Sequence, residues 1–219
     1  MMPDLDFQIV GADVLEYAAA PSLLFRLRID SAGTEPVSSI TLATQIRIMP
    51  RQRAYRDSEE QRLVELFGES QRWAQTLNSV LWTHTMLQVP GFSDHTLVDM
   101  PVPCTYDFDV VSAKYFHALE GGEVPLEFLF SGTMFYAGEN GLQVGRVPWD
   151  KETAFRLPVQ LWQQMMEHYF PNSAWIRLRK DAFDRLYDYK SRHGHATWEA
   201  ALETLLAMAG EEVGGQWTR

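Results

Sequence analysis

Period two governs the apolar residues of this chain as far as Pro148-Trp149, and spacings of three and four govern them beyond it. In Leu23-Leu24-Phe25-Arg26-Leu27-Arg28-Ile29 the odd positions are apolar and two of the even ones are Arg, the pattern of a half-buried strand. Downstream, Trp162, Met165, Met166, Tyr169 and Phe170 fall on one helical face. The pattern predicts an α+β protein: a β-sandwich or Greek-key body of about seven antiparallel strands over residues 1–148, then a helical part of about three helices over 149–219, packed on the same core or separate from it.

Strands are expected at Phe7 to Val14, Leu23 to Ile29, Ile40 to Ile48, Leu81 to Val89, Asp99 to Val111, Val124 to Tyr136 and Leu142 to Val147. Ser31 to Pro36 reads as the turn of a hairpin joining the second and third. Gly138-Glu139-Asn140-Gly141 reads as another, because Asn-Gly between apolar runs tolerates positive φ. Within the body, residues 57–77 form a short helical insertion, with Asp57-Ser58 as its cap and Gly68 as its stop. Beyond the junction, helices are expected from Pro158 to Phe170, from Arg179 to Arg192 with Gly194 past its end, and from a Thr197 cap to Gly210.

A chain of 219 residues buries a sizeable core without staples. Its single cysteine, Cys104, forms no intramolecular disulfide, which permits a reducing compartment; the cytoplasm is the expected location. Neither a signal segment nor a membrane span is expected. Twenty-nine acidic against nineteen basic side chains give a net charge of -10, which argues against nucleic acid and anionic membranes as partners. The local exception is Arg47, Arg51, Arg53 and Arg56, followed by Asp57, Glu59 and Glu60. It reads first as a loop of mutually neutralising charges; if Arg51, Arg53 and Arg56 project together, they would dock an acidic partner.

No residue constellation carries a recognisable chemistry, and no cofactor or metal is expected. Asp107 and Asp109, two apart on an expected strand, lie about 7 Å apart on its polar face, where solvated aspartates explain them as well as acid-base or cation-binding roles. His193 and His195 lack a third ligand at readable spacing. Cys104, with His84, His95 or His117 as base, is open as a nucleophile, although a thiol beside Pro103 on an apolar strand more often serves as a small hydrophobe. A phosphate-cradling glycine loop and a serine elbow are both missing from the sequence. Of seven Trp, Trp162, Trp175 and Trp198 fall in the helical part, where core is the first reading and a binding face including Tyr169 the second.

Leu157-Pro158, Trp162, Met165, Tyr169-Phe170-Pro171, Trp175, Leu178, Trp198 and Leu205-Leu206, with Pro103 to Asp109 and Pro125 to Thr133, give the chain a resemblance to an uncharacterised bacterial family of about this length. Members resemble products of genes neighbouring uptake nickel-iron hydrogenases. The resemblance implies a non-catalytic accessory or assembly role, with a hydrogenase subunit or maturation factor as protein partner, and carries no known catalytic residue. Two other readings stand beside it: a metal-handling protein or enzyme using the scattered Asp, His and Cys residues, and a structural subunit that forms homo-oligomers through a sheet edge or its helices. A recognition face is expected near the Pro148 junction.

Overall fold

The computed structural model describes residues 2–33, 35–104, 110–139, 141–172 and 178–210. Two compact units, 1–172 and 173–219, make up the chain. In the first unit, β1 (Asp4–Val14), β2 (Ser22–Ala32) and β5 (His95–Pro103) form one antiparallel sheet in the order β1-β2-β5. The second sheet runs β4-β3-β6-β7, from β3 (Val37–Ile48), β4 (Val80–Val89), β6 (Glu123–Gly138) and β7 (Gly141–Val147), with β8 (Glu152–Pro158) also pairing β6.

Alternation builds both sheets. Leu23, Phe25, Leu27 and Ile29 of β2 and Ile40, Leu42, Ile46 and Ile48 of β3 are fully buried, with Thr44 buried among them, while the odd positions of β3 and the even ones of β2 face outward. The inner faces meet through Phe7 stacked on Phe130 with ring centroids at 4.6 Å, and through Phe25 edge-on to Phe128 at 5.2 Å. Each such ring contributes about 1.5–3 kcal/mol through burial, and the aromatic pairing adds about 0.5–1.5 kcal/mol. The fold is thus α+β, an antiparallel sandwich with helices in its C-terminal part.

Ser31 to Pro36 does not turn a hairpin. β2 pairs with β1 and β5, and β3 with β4 and β6, so this connection carries the chain from one sheet to the other. Two strands that each bury one face give the same alternation whether they are neighbours or lie in opposite layers. The Gly138–Gly141 hairpin is present, closed by the pairing of those two residues, with Gly141 at φ +95°; Asn140 itself lies outside the described residues.

The expected strand from Asp99 to Val111 ends at Pro103, and Val110–Ala118 is helix α3. Pro101 and Pro103 cannot donate to a ladder, which suits β5 because it pairs only with β2 and is an edge. Helices α1 (Asp57–Phe67), the short α2 (Trp73–Thr76) and α3 close one end of the sandwich through Leu63, Phe67, Trp73, Tyr115 and Phe116, all buried. Asp57-Ser58 is not the cap of α1. The carboxylate of Glu59 accepts the N–H of Arg56 at 3.0 Å instead, and Gly68 stops the helix at φ +72° by donating to Val64 O.

At Pro148-Trp149, the structure has a break in an edge strand rather than the end of the sheet. β7 pairs the far half of β6 and β8 the near half, so the two lie end to end along one side of it. Between the pairs Gly132↔Val147 and Leu129↔Glu152, β6 has two residues, Phe130 and Ser131, and the outer chain has four, Pro148 to Lys151. The surplus bulges out, the ladder resumes as Phe130 N–H donates to Lys151 O at 2.9 Å, and Trp149 is left 90% exposed.

Helix α4 (Val159–Tyr169) follows β8 directly and buries Val159, Trp162 and Met165. Its last residue fixes the β1–β2 loop: the Tyr169 hydroxyl donates to Leu15 O at 2.6 Å and accepts the Ala18 N–H at 3.0 Å.

In the second unit, α5 (Lys180–Arg192) and α6 (Trp198–Met208) form a helical hairpin turned at Gly194, φ +69°. Thr197 caps α6 by accepting the Ala200 N–H at 3.2 Å. Phe183 and Tyr187 lie against Trp198, with ring centroids at 5.5 and 6.1 Å, and Lys190 Nζ is 5.5 Å from the Trp198 ring centroid.

Candidate interaction surface

Of the described residues that sequence singles out for a partner, Arg53, Trp162 and Tyr169 are engaged within the first unit. Arg53 points inward and Glu59 meets it there, with side chains only 7% and 2% exposed and Arg53 Nη2 2.6 Å from Glu59 Oε1. The guanidinium also donates to Glu123 O at 3.0 Å and Gly121 O at 2.8 Å, while Glu59 Oε1 accepts the Glu120 N–H at 2.9 Å. Arg51 reaches the carbonyl of Ala74. Arg56, at the surface, pairs with Glu120 at 3.4 Å, and Arg47 donates to Ser79 Oγ at 2.8 Å. The cluster ties the α1 start to the α3–β6 connection; its charges neutralise one another.

Trp162 is core: its indole stacks on Phe116 at 5.2 Å and 10° and meets His117 edge-on at 4.8 Å. Tyr169 is occupied by the β1–β2 loop. Trp175, Asp107 and Asp109 lie outside the described residues. His193 stacks on Tyr189, with its centroid 6.2 Å from that of His195. His84 lies opposite Gln45 in the second sheet and His95 opposite Asp30 in the first. Among the described residues, no three His, Cys, Asp or Glu side chains are grouped to hold a metal ion, and no helix is long and apolar enough to cross a membrane.

Burial pushes the Cys104 thiol up to about 12 from an ordinary value of 9.0, so at neutral pH the half-buried thiol is protonated. The native protein is expected to resist thiol reagents at pH 8 and to bind one equivalent once unfolded; fast labelling of the native state would contradict this. Burial also raises the Tyr115 phenol to about 12 and raises Tyr55, its hydroxyl partner at 2.8 Å. Raised acids favour the folded state while protonated. Their contribution is whole below the unfolded values near 9 and 10 and is lost as pH climbs towards 12. Melting temperature is therefore expected to fall between about pH 9 and 11.

The two outer sheet faces differ sharply in charge. Over β1-β2-β5 the face is ionic: Arg26 lies 3.8 Å from Asp99, Arg28 2.7 Å from Asp30, and the strand bulge between Ile9 and Gly11 leaves a depression lined by Asp13, Leu24, Arg26 and Asp99. Over most of β4-β3-β6-β7 the one charged side chain is Arg146. Cross-strand rows read Gln88, Thr41, Thr133, Arg146; then Met86, Ala43, Ser131; then Ser39, Phe135, Val144; then Ala137, Leu142. These rows contain no carboxylate. The first acids are Glu127, which pairs with Arg47 at 3.5 Å, and Glu152, opposite Leu129. Met86, Leu142 and Val144 are 74%, 64% and 62% exposed.

Sequence reasoning missed this face because its residues come from four separated stretches, each with an ordinary outward polar or small residue. The signal exists only once strand order is known.

Fold and surface together define an α+β sandwich protein with one sheet face poor in carboxylates. The chain belongs to the family of unknown function DUF6084, whose model matches residues 2–214. No curated protein matches. Among solved structures, a beta-glucosidase from Kluyveromyces marxianus is similar at 8% identity and TM-score 0.25, over 70% of this chain and 15% of that one. The putative ApaA protein from Bordetella pertussis is similar at 13% identity and TM-score 0.24, over 71% of this chain and 94% of that one. Beta-glucosidase 3B from Thermotoga neapolitana matches at 14% identity and TM-score 0.23, over 70% of this chain and 17% of that one. The chain thus spans about a sixth of either glucosidase, and likenesses this distant carry no argument about activity.

Proposed function

We propose that the chain is a non-catalytic accessory or assembly protein of the cytoplasm that binds another protein through the outer face of β4-β3-β6-β7. The carrying observation is the run of four cross-strand rows without a carboxylate on that face, with Met86, Leu142 and Val144 exposed, in a chain of net charge -10. Exposed apolar side chains on a face otherwise made of small and uncharged polar residues suit the binding of another protein. The family resemblance to hydrogenase-neighbouring gene products makes a nickel-iron hydrogenase subunit or maturation factor the partner to test.

Tagged protein captured from cells producing the hydrogenase should recover one of those components. The pair Met86→Glu and Thr133→Glu, both on exposed or half-exposed positions, should reduce recovery at least tenfold while leaving the circular dichroism spectrum unchanged. Recovery of no hydrogenase component, or equal recovery with the substituted face, would sink the proposal.

A further inference from the structure

We infer that β7 is a self-pairing edge, along which two copies of this chain join antiparallel about a two-fold axis through Gln143 into one continuous sheet. This goes beyond the binding function proposed above and does not rest on it. β7 ends the order β4-β3-β6-β7, so one side of its backbone has no strand partner among the described residues. Such an edge offers a row of N–H and C=O groups to any strand that fits.

The other edges are guarded. β5 carries Pro101 and Pro103, which cannot donate. β1 is tied to the β8 side of the sandwich by Lys151 Nζ and Asp4 Oδ1 at 2.8 Å, and β4 is interrupted by an irregularity opposite Ile46–Arg47. β7 has no such device: Gly-Leu-Gln-Val-Gly-Arg-Val holds no proline, lysine or acid.

The occupant follows from register and charge. Leu142, Val144 and Arg146 face outward and Gln143, Gly145 and Val147 inward, so a second strand must match even with even positions to keep one face continuous. Pairing about Gln143 sets Leu142 opposite Val144 twice, by symmetry, and forms a four-residue apolar cluster on the outer face. The same register keeps Arg146 of each copy away from that cluster, at the end of the strand pair. Centring on Val144 instead would set Leu142 against Arg146 and break the cluster. A copy of net charge -10 repels another elsewhere on its surface; here it meets a strand with no carboxylate.

Sedimentation equilibrium on the full chain tests this. The mass should rise from 25.1 kDa towards twice that as concentration reaches about 100 µM, and added salt should favour the dimer by screening the like net charges. Val144→Lys, at an exposed site, should weaken the dimer at least tenfold with unchanged folding. Gln143→Cys should cross-link to itself under diamide, because the axis sets the two thiols face to face, whereas Ser131→Cys, exposed but away from the edge, should not. A chain that stays monomeric, a dimer indifferent to Val144→Lys, or a Gln143→Cys variant that fails to cross-link would each overturn the inference. A monomer that still captures a hydrogenase component would refute self-pairing alone; a dimer that captures none would support it and refute only the proposed function.

Discussion

Glu59→Ala is expected to lower unfolding free energy by about 3–5 kcal/mol, the range found when one member of a buried ion pair is removed. Glu59 is 2% exposed and spends both carboxylate oxygens, Oε1 on Arg53 at 2.6 Å and the Glu120 N–H at 2.9 Å, Oε2 on the Arg56 N–H at 3.0 Å. Truncation strands a guanidinium that is itself 7% exposed and releases two backbone donors at the start of α1 and the end of the α3 turn. The Arg53 fork would keep Glu123 O and Gly121 O, but neutral carbonyls do not offset its charge, and Arg53 Nε has no hydrogen-bond partner among the described residues.

The pair is not expected to be a large net stabiliser. Arg53→Met combined with Glu59→Leu should recover much of the loss, because burying two charges costs several kcal/mol that their attraction only repays. Urea unfolding of Arg53→Met, of Glu59→Leu and of the two combined gives the coupling directly. A loss under about 1 kcal/mol for Glu59→Ala would show that water reaches the pair and that the burial described is wrong.

The second large effect falls on Gly132. A Cβ there would lie 2.1 Å from the carbonyl oxygen of Thr41 and 3.2 Å from Leu42 Cα, both backbone atoms of β3, and Gly132 holds φ +152°. Gly132→Ala must therefore push apart β3 and β6, the central pair of the second sheet. Overpacking at about 1–3 kcal/mol and backbone strain of similar size add to a loss of roughly 3 kcal/mol or more. Gly145→Ala is the control: its Cβ would meet Met2 Sδ at 2.8 Å, the far end of a flexible side chain that can move away, so the cost should stay below about 1 kcal/mol. Equal melting temperatures for the two variants would refute the close approach at Gly132.

How far the sequence could lead is visible in particular residues. The buried odd positions of β2 and even positions of β3 match their alternation, and Thr197 and Gly194 bound α6 and α5 as local capping chemistry requires. Strand β8 is short, and its alternating Thr153, Phe155 and Leu157 run straight into the stronger helical stripe of α4, which masks them. α3 begins with Val110-Val111, β-branched residues whose strand preference is overridden by the packing of Tyr115 and Phe116. Likewise the arginine cluster reads as surface because arginine usually is; that Arg53 turns inward depends on Glu59, six residues on, and on carbonyls some 70 residues away. The carboxylate-poor face and the unguarded edge depend on strand order, which alternation does not encode.

The surplus residues between β7 and β8 work as an expansion joint. Because Pro148 to Lys151 take up a two-residue mismatch, the register of β7 on β6 and that of β8 on β6 are set separately. A change of register in β7 therefore need not be passed on to β8 and the helix that follows it. An insertion or deletion of a residue in the joint likewise leaves every inward side chain on both sides facing inward, where the same change inside an unbroken strand would turn half of them to solvent.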